Sequence, residues 1–210
     1  SVFSYVPNTA ESAYYGFMEQ LRLVRRAEVK QKLLDANKSG KLTDSLIDDL
    51  VMDNWPKGEK IANKDIKLRT FISQESGRAQ LVSHVYDITY GVIRPREDAL
   101  VCIDDSIVRG TTASKVVQMM FDAGAKEVHL GISSPPIKHP DFYGIDTPNL
   151  EELIAAKKSI EEINKEIGST SLFFLSLNGT YKALGEKQRD NSDPQFTDHC
   201  FTGEYPTPLD

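Results

Sequence analysis

The chain has 210 residues, a formal net charge of -6, 40% hydrophobic and 27% charged residues, the composition of one globular domain with a full core. The acidic balance counts against nucleic acid or an anionic membrane as partner, and no run approaches the ~20 apolar residues of a membrane span. The two cysteines, Cys102 and Cys200, imply no disulfide framework and fit a reducing, cytoplasmic compartment.

In chain order, residues 2–6 form a β-prone run that ends at Pro7, Asn8 and Thr9. The chain opens on this strand as if cut from a longer protein. Ala13, Phe17, Leu21 and Val24 then recur at helical spacing, and the helix is expected to run to Lys38, Ser39 and Gly40. A second helical pattern follows, with Thr43 as its N-cap. Residues 55–67, polar, Lys-rich and broken by Pro56 and Gly58, read as a surface loop, and residues 68–72 and 81–93 as strand-forming pieces.

Residues 99–103 are a continuous apolar run, as expected of a strand covered on both faces of a parallel sheet. A loop then opens a helix whose apolar face is Ala113, Val116, Val117, Met120 and Phe121. Ala123 and Gly124 close that helix, and residues 127–132 supply the next strand of a βαβ unit. A helix pair over residues 150–167, a strand over 172–175 and a short helix from about Gly179 continue the alternation. The reading is one α/β domain over residues 1–185, a mostly parallel sheet flanked by helices, followed by an irregular tail over 186–210.

The chemistry concentrates in Asp104-Asp105-Ser106-Ile107-Val108-Arg109-Gly110-Thr111-Thr112, between a buried strand and a helix, where α/β sheets present ligands. Gly110 permits close approach of an anion, Thr111 and Thr112 add hydroxyl donors, and the helix N-terminus turns its N–H groups toward negative charge. The two preceding acids either cap the turn into the helix or, if the loop holds a phosphate that would repel them, face something else, such as ribose hydroxyls or a bound Mg²⁺. A phosphorylated ribose meets both demands. Neither a Walker pattern nor a dinucleotide G-x-G-x-x-G is present.

This run resembles the signature of the type I phosphoribosyltransferases that bind 5-phosphoribosyl-1-pyrophosphate (PRPP), in the form carried by the glutamine PRPP amidotransferases. Residues 124–128, 132–137, 139–140, 143–146, 151–155 and 200–206 are similar to that family in the same order, and residues 6–10 resemble its pyrophosphate loop. The resemblance implies a reaction in which ammonia, freed from glutamine, displaces pyrophosphate from PRPP to give 5-phosphoribosylamine in purine biosynthesis. It implies that Asp104 and Asp105 hold the ribose hydroxyls and the associated Mg²⁺, and that Ser106, Val108, Arg109, Gly110, Thr111 and Thr112 wrap the 5-phosphate. Pro7, Asn8, Thr9 and Ala10 would form the pyrophosphate loop, with Lys64, Lys67 and Arg69 in a flexible loop. The family further implies purine nucleotide effectors and a homo-oligomer.

Several positions depart from the pattern. Asn8 stands where the family carries an acid, and residues 63–68 replace a K-N-R-Y-V-G stretch. These changes leave a second reading open, a PRPP-binding regulator on the same fold without turnover. Some family members hold an iron–sulfur cluster with four cysteines; here Asp141 and Thr197 stand at two of those positions, and Cys102 with Cys200 cannot supply four thiolates, so no cluster is expected. His139, His199 and Cys200 show no zinc spacing. The family's glutaminase domain, with its amino-terminal cysteine, is expected to be absent, so this fragment would not use glutamine by itself.

Overall fold

The computed structural model of the chain describes residues 1–7, 9–51, 57–64, 86–89, 91–145, 147 and 149–208. Its centre is a five-stranded, wholly parallel sheet in the order β2-β1-β5-β6-β7, built from β1 (Val2–Tyr5), β2 (Lys57–Gly58), β5 (Ala99–Asp104), β6 (Glu127–Ile132) and β7 (Ser171–Phe174). A separate antiparallel pair joins β3 (Ala62–Lys64) to β4 (Tyr86–Ile88).

Alternation along the central strands explains the layering. Val2, Leu100, Cys102, Val128, Leu130 and Ile132 are buried in the larger of two apolar clusters, together with Ala113, Val116, Val117 and Met120 of α3 (Thr111–Asp122) and Ile163 and Ile167 of α5 (Ile160–Ile167). Tyr5 and Ile103 belong to the second cluster, with Tyr14 and Met18 of α1 (Glu11–Lys38) and Phe3 packed against it. Helices on both faces are what buried parallel strands require, since each strand then has no solvated side. At roughly 1.5–3 kcal/mol for each fully buried aliphatic side chain, the larger cluster is the principal source of stability.

Local signals account for most boundaries. Thr43 caps α2 (Asp44–Val51), its Oγ1 accepting from the Leu46 N–H at 3.2 Å. Ser159 and Glu162 form a reciprocal capping box on α5, which Gly168 ends in the left-handed region at φ 81°. Ser176 caps α6 (Leu177–Ala183), so that helix starts two residues before the expected Gly179. The helix pair over 150–167 is a 3₁₀ turn at Leu150–Glu152, the single turn α4 (Ile154–Lys157) and then α5.

One expectation needs correction. Residues 55–67 are not simply a surface loop, because β2 adds to the sheet beside β1, and Ile61 and Ala62 are buried. Charge and Pro56 hide a short apolar core in this stretch. It docks because the fully buried Ser4 hydroxyl accepts from the Ile61 N–H at 3.1 Å, and the Ile61 carbonyl accepts from the Thr89 N–H at 2.8 Å. Residues 68–72 lie outside the described residues; of 81–93, the described part is strand at Tyr86–Ile88 and turn at 91–93.

The segment after α6 includes one helical turn, α7 (His199–Thr202), and an ionic knot. Arg189 donates through Nε to Asp198 Oδ2 at 2.6 Å and also reaches Glu204, while Tyr181 Oη donates to Asp198 Oδ2 at 2.8 Å. The Arg189 and Asp198 side chains are 5% and 6% exposed. Burial pushes the Asp198 carboxyl upward, but hydrogen bonds from Arg189, Tyr181 and Thr202 outweigh it and leave the group below the usual carboxylate range.

Candidate functional site

From β1 the chain moves to one side of the sheet, to β2, and from β5 to the other, to β6 and β7. The ends of β1 and β5 therefore flank a topological switch point, where the connecting loops diverge and leave a crevice. Pro7, Thr9 and Ala10 follow the end of β1 and residues 105–110 the end of β5, so both candidate loops open onto this one place. They touch: the Thr9 hydroxyl donates to Asp105 Oδ2 across 96 positions of sequence.

The loop after β5 is shaped by its own acids. Asp104, 8% exposed, accepts the Asp105 N–H at 2.8 Å through Oδ1, and Asp105 Oδ1 accepts the Ser106 N–H at 2.6 Å. Ser133, following β6, donates its N–H to the Asp104 carbonyl at 2.9 Å. Ile107 is buried and anchors the bend, while Ser106, Val108, Arg109 and Gly110 are partly exposed and Thr111 is exposed. The loop thus presents its outer rim to solvent while its centre is pinned.

Gly110 occupies the N-cap of α3 in the left-handed region, at φ 82°, and no side chain caps the helix there. The amides of the first turn are consequently left for another acceptor, which is the basis of anion binding at helix N-termini. A side chain at Gly110 would also meet Ile154 Cδ1 at 2.8 Å. The Val108 carbonyl accepts the Ile154 N–H at 3.0 Å, so the turn over residues 150–154 braces the loop from behind.

Arg109 is not a free cation. Its Nε donates to Glu152 Oε2 at 2.8 Å, with the two side chains 26% and 37% exposed. Cys102, two residues before the end of β5, is buried, and burial followed by the nearby Asp104 charge pushes its thiol well up, so it is a packing residue and not a nucleophile.

Of the expected site residues, the structure brings Asp104, Asp105, Ser106, Val108, Arg109, Gly110, Thr111, Thr112, Pro7, Thr9 and Ala10 to the one sheet edge. Pro7 and Ala10 are buried, and Ala10 packs in the second core cluster, so Thr9 alone of these three presents an exposed side chain. Asn8, Lys67 and Arg69 lie outside the described residues. Lys64 ends β3, its backbone paired with Tyr86. Glu152 and Ser133 are contributors that reading along the sequence did not single out. Ser133 could have been found from its place at the carboxyl end of a strand beside β5; nothing in the sequence marks Glu152 as the partner of Arg109.

Asp104 and Asp105 offer hard carboxylate oxygens, the donor type that a magnesium ion or a sugar diol takes. Among the described residues, no helix is long and apolar enough to cross a membrane.

No protein-family model matches the chain. It is similar to the amidophosphoribosyltransferase of Rhizobium etli, 56% identical over 111 residues, which are 52% of this chain and 22% of that protein. The amidophosphoribosyltransferase of Bacillus subtilis is 49% identical over 142 residues, 67% of this chain and 29% of that protein. The chain thus spans between a fifth and a third of the length of these curated relatives. Among solved structures, the glutamine PRPP amidotransferase of Bacillus subtilis, complexed with ADP and GMP, superposes with a TM-score of 0.68 at 38% identity, covering 99% of this chain and 38% of that one. An allosteric regulatory enzyme of purine biosynthesis superposes with a TM-score of 0.67, also at 38% identity and covering 99% of this chain and 37% of that one.

Proposed function

Because this chain is related in sequence and in fold to a portion of the amidophosphoribosyltransferases, we propose that it is the part that binds PRPP and transfers its phosphoribosyl group to ammonia. The observation that carries the proposal is the meeting of two loops at the sheet's switch point, where Thr9 bonds Asp105 beside the uncapped first turn of α3.

In this reading the 5-phosphate of PRPP sits over the loop of Arg109, Gly110, Thr111 and Thr112, receiving backbone N–H groups and the two threonine hydroxyls. Val108 contributes backbone only, and Ser106 keeps the Asp105 carboxylate turned toward the ribose. Asp104 and Asp105 take the 2- and 3-hydroxyls, and they are the residues that would hold Mg²⁺, directly or through water. When bound, that ion supplies charge neutralisation to the departing pyrophosphate. In this reading Pro7, Asn8, Thr9 and Ala10 are the pyrophosphate loop, with Thr9 offering an exposed hydroxyl, and Lys64, Lys67 and Arg69 are the flexible-loop cations.

Substitution at C1 then needs little acid–base help. Ammonia is neutral and already nucleophilic, and the C–O bond to pyrophosphate breaks with positive charge developing on the ribose. The protein's work is to orient the ring and to place carboxylates near that charge. The product is 5-phosphoribosylamine, an early step of purine synthesis. Ammonia would come from a glutaminase domain, and purine nucleotides would act as effectors, as the ADP and GMP complex of the Bacillus subtilis neighbour suggests. A cytoplasmic homo-oligomer completes the reading.

A second reading, PRPP binding without turnover, rests on Asn8 standing where the family carries an acid. One experiment separates them: titration calorimetry of PRPP with Mg²⁺, paired with an assay for pyrophosphate release on addition of ammonia. PRPP binding by the wild type, lost in Asp104→Asn/Asp105→Asn, is expected with release of pyrophosphate. Binding without release selects the second reading, and unchanged binding in the double variant overturns the site.

A further inference from the structure

The proposed PRPP site leaves a second constellation unused. Asp141 follows β6 in the loop of residues 139–145, while His199 and Cys200 begin α7, 58 positions later for the aspartate–histidine pair. The fold brings a carboxylate oxygen of Asp141, a ring nitrogen of His199 and Cys200 Sγ all within 4.8 Å of one another. It is the one such group of three found among the described residues.

We propose that Asp141, His199 and Cys200 form a mononuclear binding site for a borderline divalent cation such as Zn²⁺. The donor set is the first reason. One carboxylate, one imidazole and one thiol are the ligand types that zinc accepts together, and a tetrahedral ion with bonds of 2.0–2.3 Å separates its ligands by about 3.5 Å. The donor atoms, none more than 4.8 Å from another, lie near that separation, with the 2.6 Å contact between Asp141 Oδ1 and His199 Nε2 shorter than it. A single thiol with two harder donors suits such an ion and does not suit a four-thiolate iron–sulfur centre.

The second reason is an unmet polar atom. His199 is 6% exposed, and its Nε2 lies 2.6 Å from Asp141 Oδ1, yet Nδ1 is buried and finds no hydrogen-bond partner among the described residues. A buried ring nitrogen without a partner costs about 1–3 kcal/mol, so a structure that retains one retains it for a reason. Coordination through Nδ1 would give the unmet atom its partner, and coordination through Nε2 would exchange the bond to Asp141 for a bond to the ion.

The surroundings hold the donors ready. Asp141 Oδ2 accepts the Tyr143 N–H at 2.9 Å and the Ile145 N–H at 2.7 Å, which fixes the carboxylate in place. The Cys200 carbonyl accepts the N–H groups of Lys138 at 2.8 Å and His139 at 3.0 Å, which fixes the backbone of α7 against the same loop. Tyr143 meets the His199 ring edge-on at 5.1 Å and Tyr205 lies tilted against it at 5.2 Å. Cys200 is only half-buried, which leaves a path for the ion and a fourth position for water. The ion would tie the segment after α6 to the loop after β6.

The test uses the full chain, stripped with a chelator and dialysed against Zn²⁺, with Co²⁺ as an optical probe and no PRPP present. One zinc ion per chain is expected, with a thiolate-to-cobalt charge-transfer band. Cys200→Ser and Asp141→Asn should weaken Zn²⁺ binding by at least about tenfold, as loss of a ligand or its support does, and Cys200→Ser should abolish the cobalt band. Cys102→Ala, at the other cysteine, should change neither reading. If Asp141→Asn does not fold, Cys200→Ser, a one-atom change at a half-buried position, decides the matter. No zinc retained by the wild type, or equal binding by wild type and Cys200→Ser, overturns the site. Because PRPP takes no part, failure here leaves the PRPP proposal standing, and the reverse also holds.

Discussion

The acidic loop that joins β5 to α3 and the corner where residues 139–145 meet residues 189–207 are assembled in opposite ways. The loop is contiguous: its carboxylates bond the N–H of the next residue, its bend is anchored by Ile107, and its glycine opens the helix it feeds. The corner joins pieces far apart in sequence, through Arg189 to Asp198 and Glu204, Asp141 to His199, and the Tyr205 hydroxyl to the Pro140 carbonyl at 2.8 Å. A contiguous loop can present an outer rim to a ligand while its strand and helix carry the stability. A corner built from distant pieces must supply its own stability through buried ionic bonds, and those bonds are unforgiving of change.

The largest expected effect follows from that asymmetry. Arg189→Met should destabilise the protein by about 3 kcal/mol, because the buried Asp198 carboxylate is left without its partner. Urea unfolding measures it, and a loss below about 1 kcal/mol would mean that the corner contributes little to the fold. Next, Gly110→Ala forces an L-residue to φ 82°, at about 1–2 kcal/mol, and pushes on Ile154. It should reduce PRPP affinity by more than it lowers the unfolding midpoint, which calorimetry and urea titration together resolve; the opposite order would make the glycine a purely structural residue. The smallest effect belongs to Glu152→Gln, which keeps the shape of the brace and removes a charge that competes with phosphate for Arg109. PRPP should bind about twofold tighter, the equivalent of ~0.5 kcal/mol for a half-exposed pair, and weaker binding would instead assign Glu152 to positioning Arg109.

The elements that were legible in the sequence share a property. Residues 99–103 read as a buried parallel strand because the apolar run has no polar interruption, and residues 127–132 read as the next strand because a helix of βαβ length separates the two. Thr43 and Gly124 read as helix ends because capping is chemistry within one turn of the chain. Residues 57–64 failed the same test: only Ile61 and Ala62 carry the apolar signal, and the reason they are buried is Ser4, more than fifty residues earlier.

The sequence by itself determined the α/β class, the order of strands and helices around residues 99–132, and the loop with its two acids and its glycine, since each depends on neighbours along the chain. The tertiary structure alone decided that Thr9 reaches Asp105, that Glu152 holds Arg109, and that Asp141, His199 and Cys200 share one corner. Those contacts join residues from 43 to 96 positions apart. Short-range spacing carries no information about them, because which side chains meet across such distances is set by strand order and by the packing of the two faces, and not by local geometry.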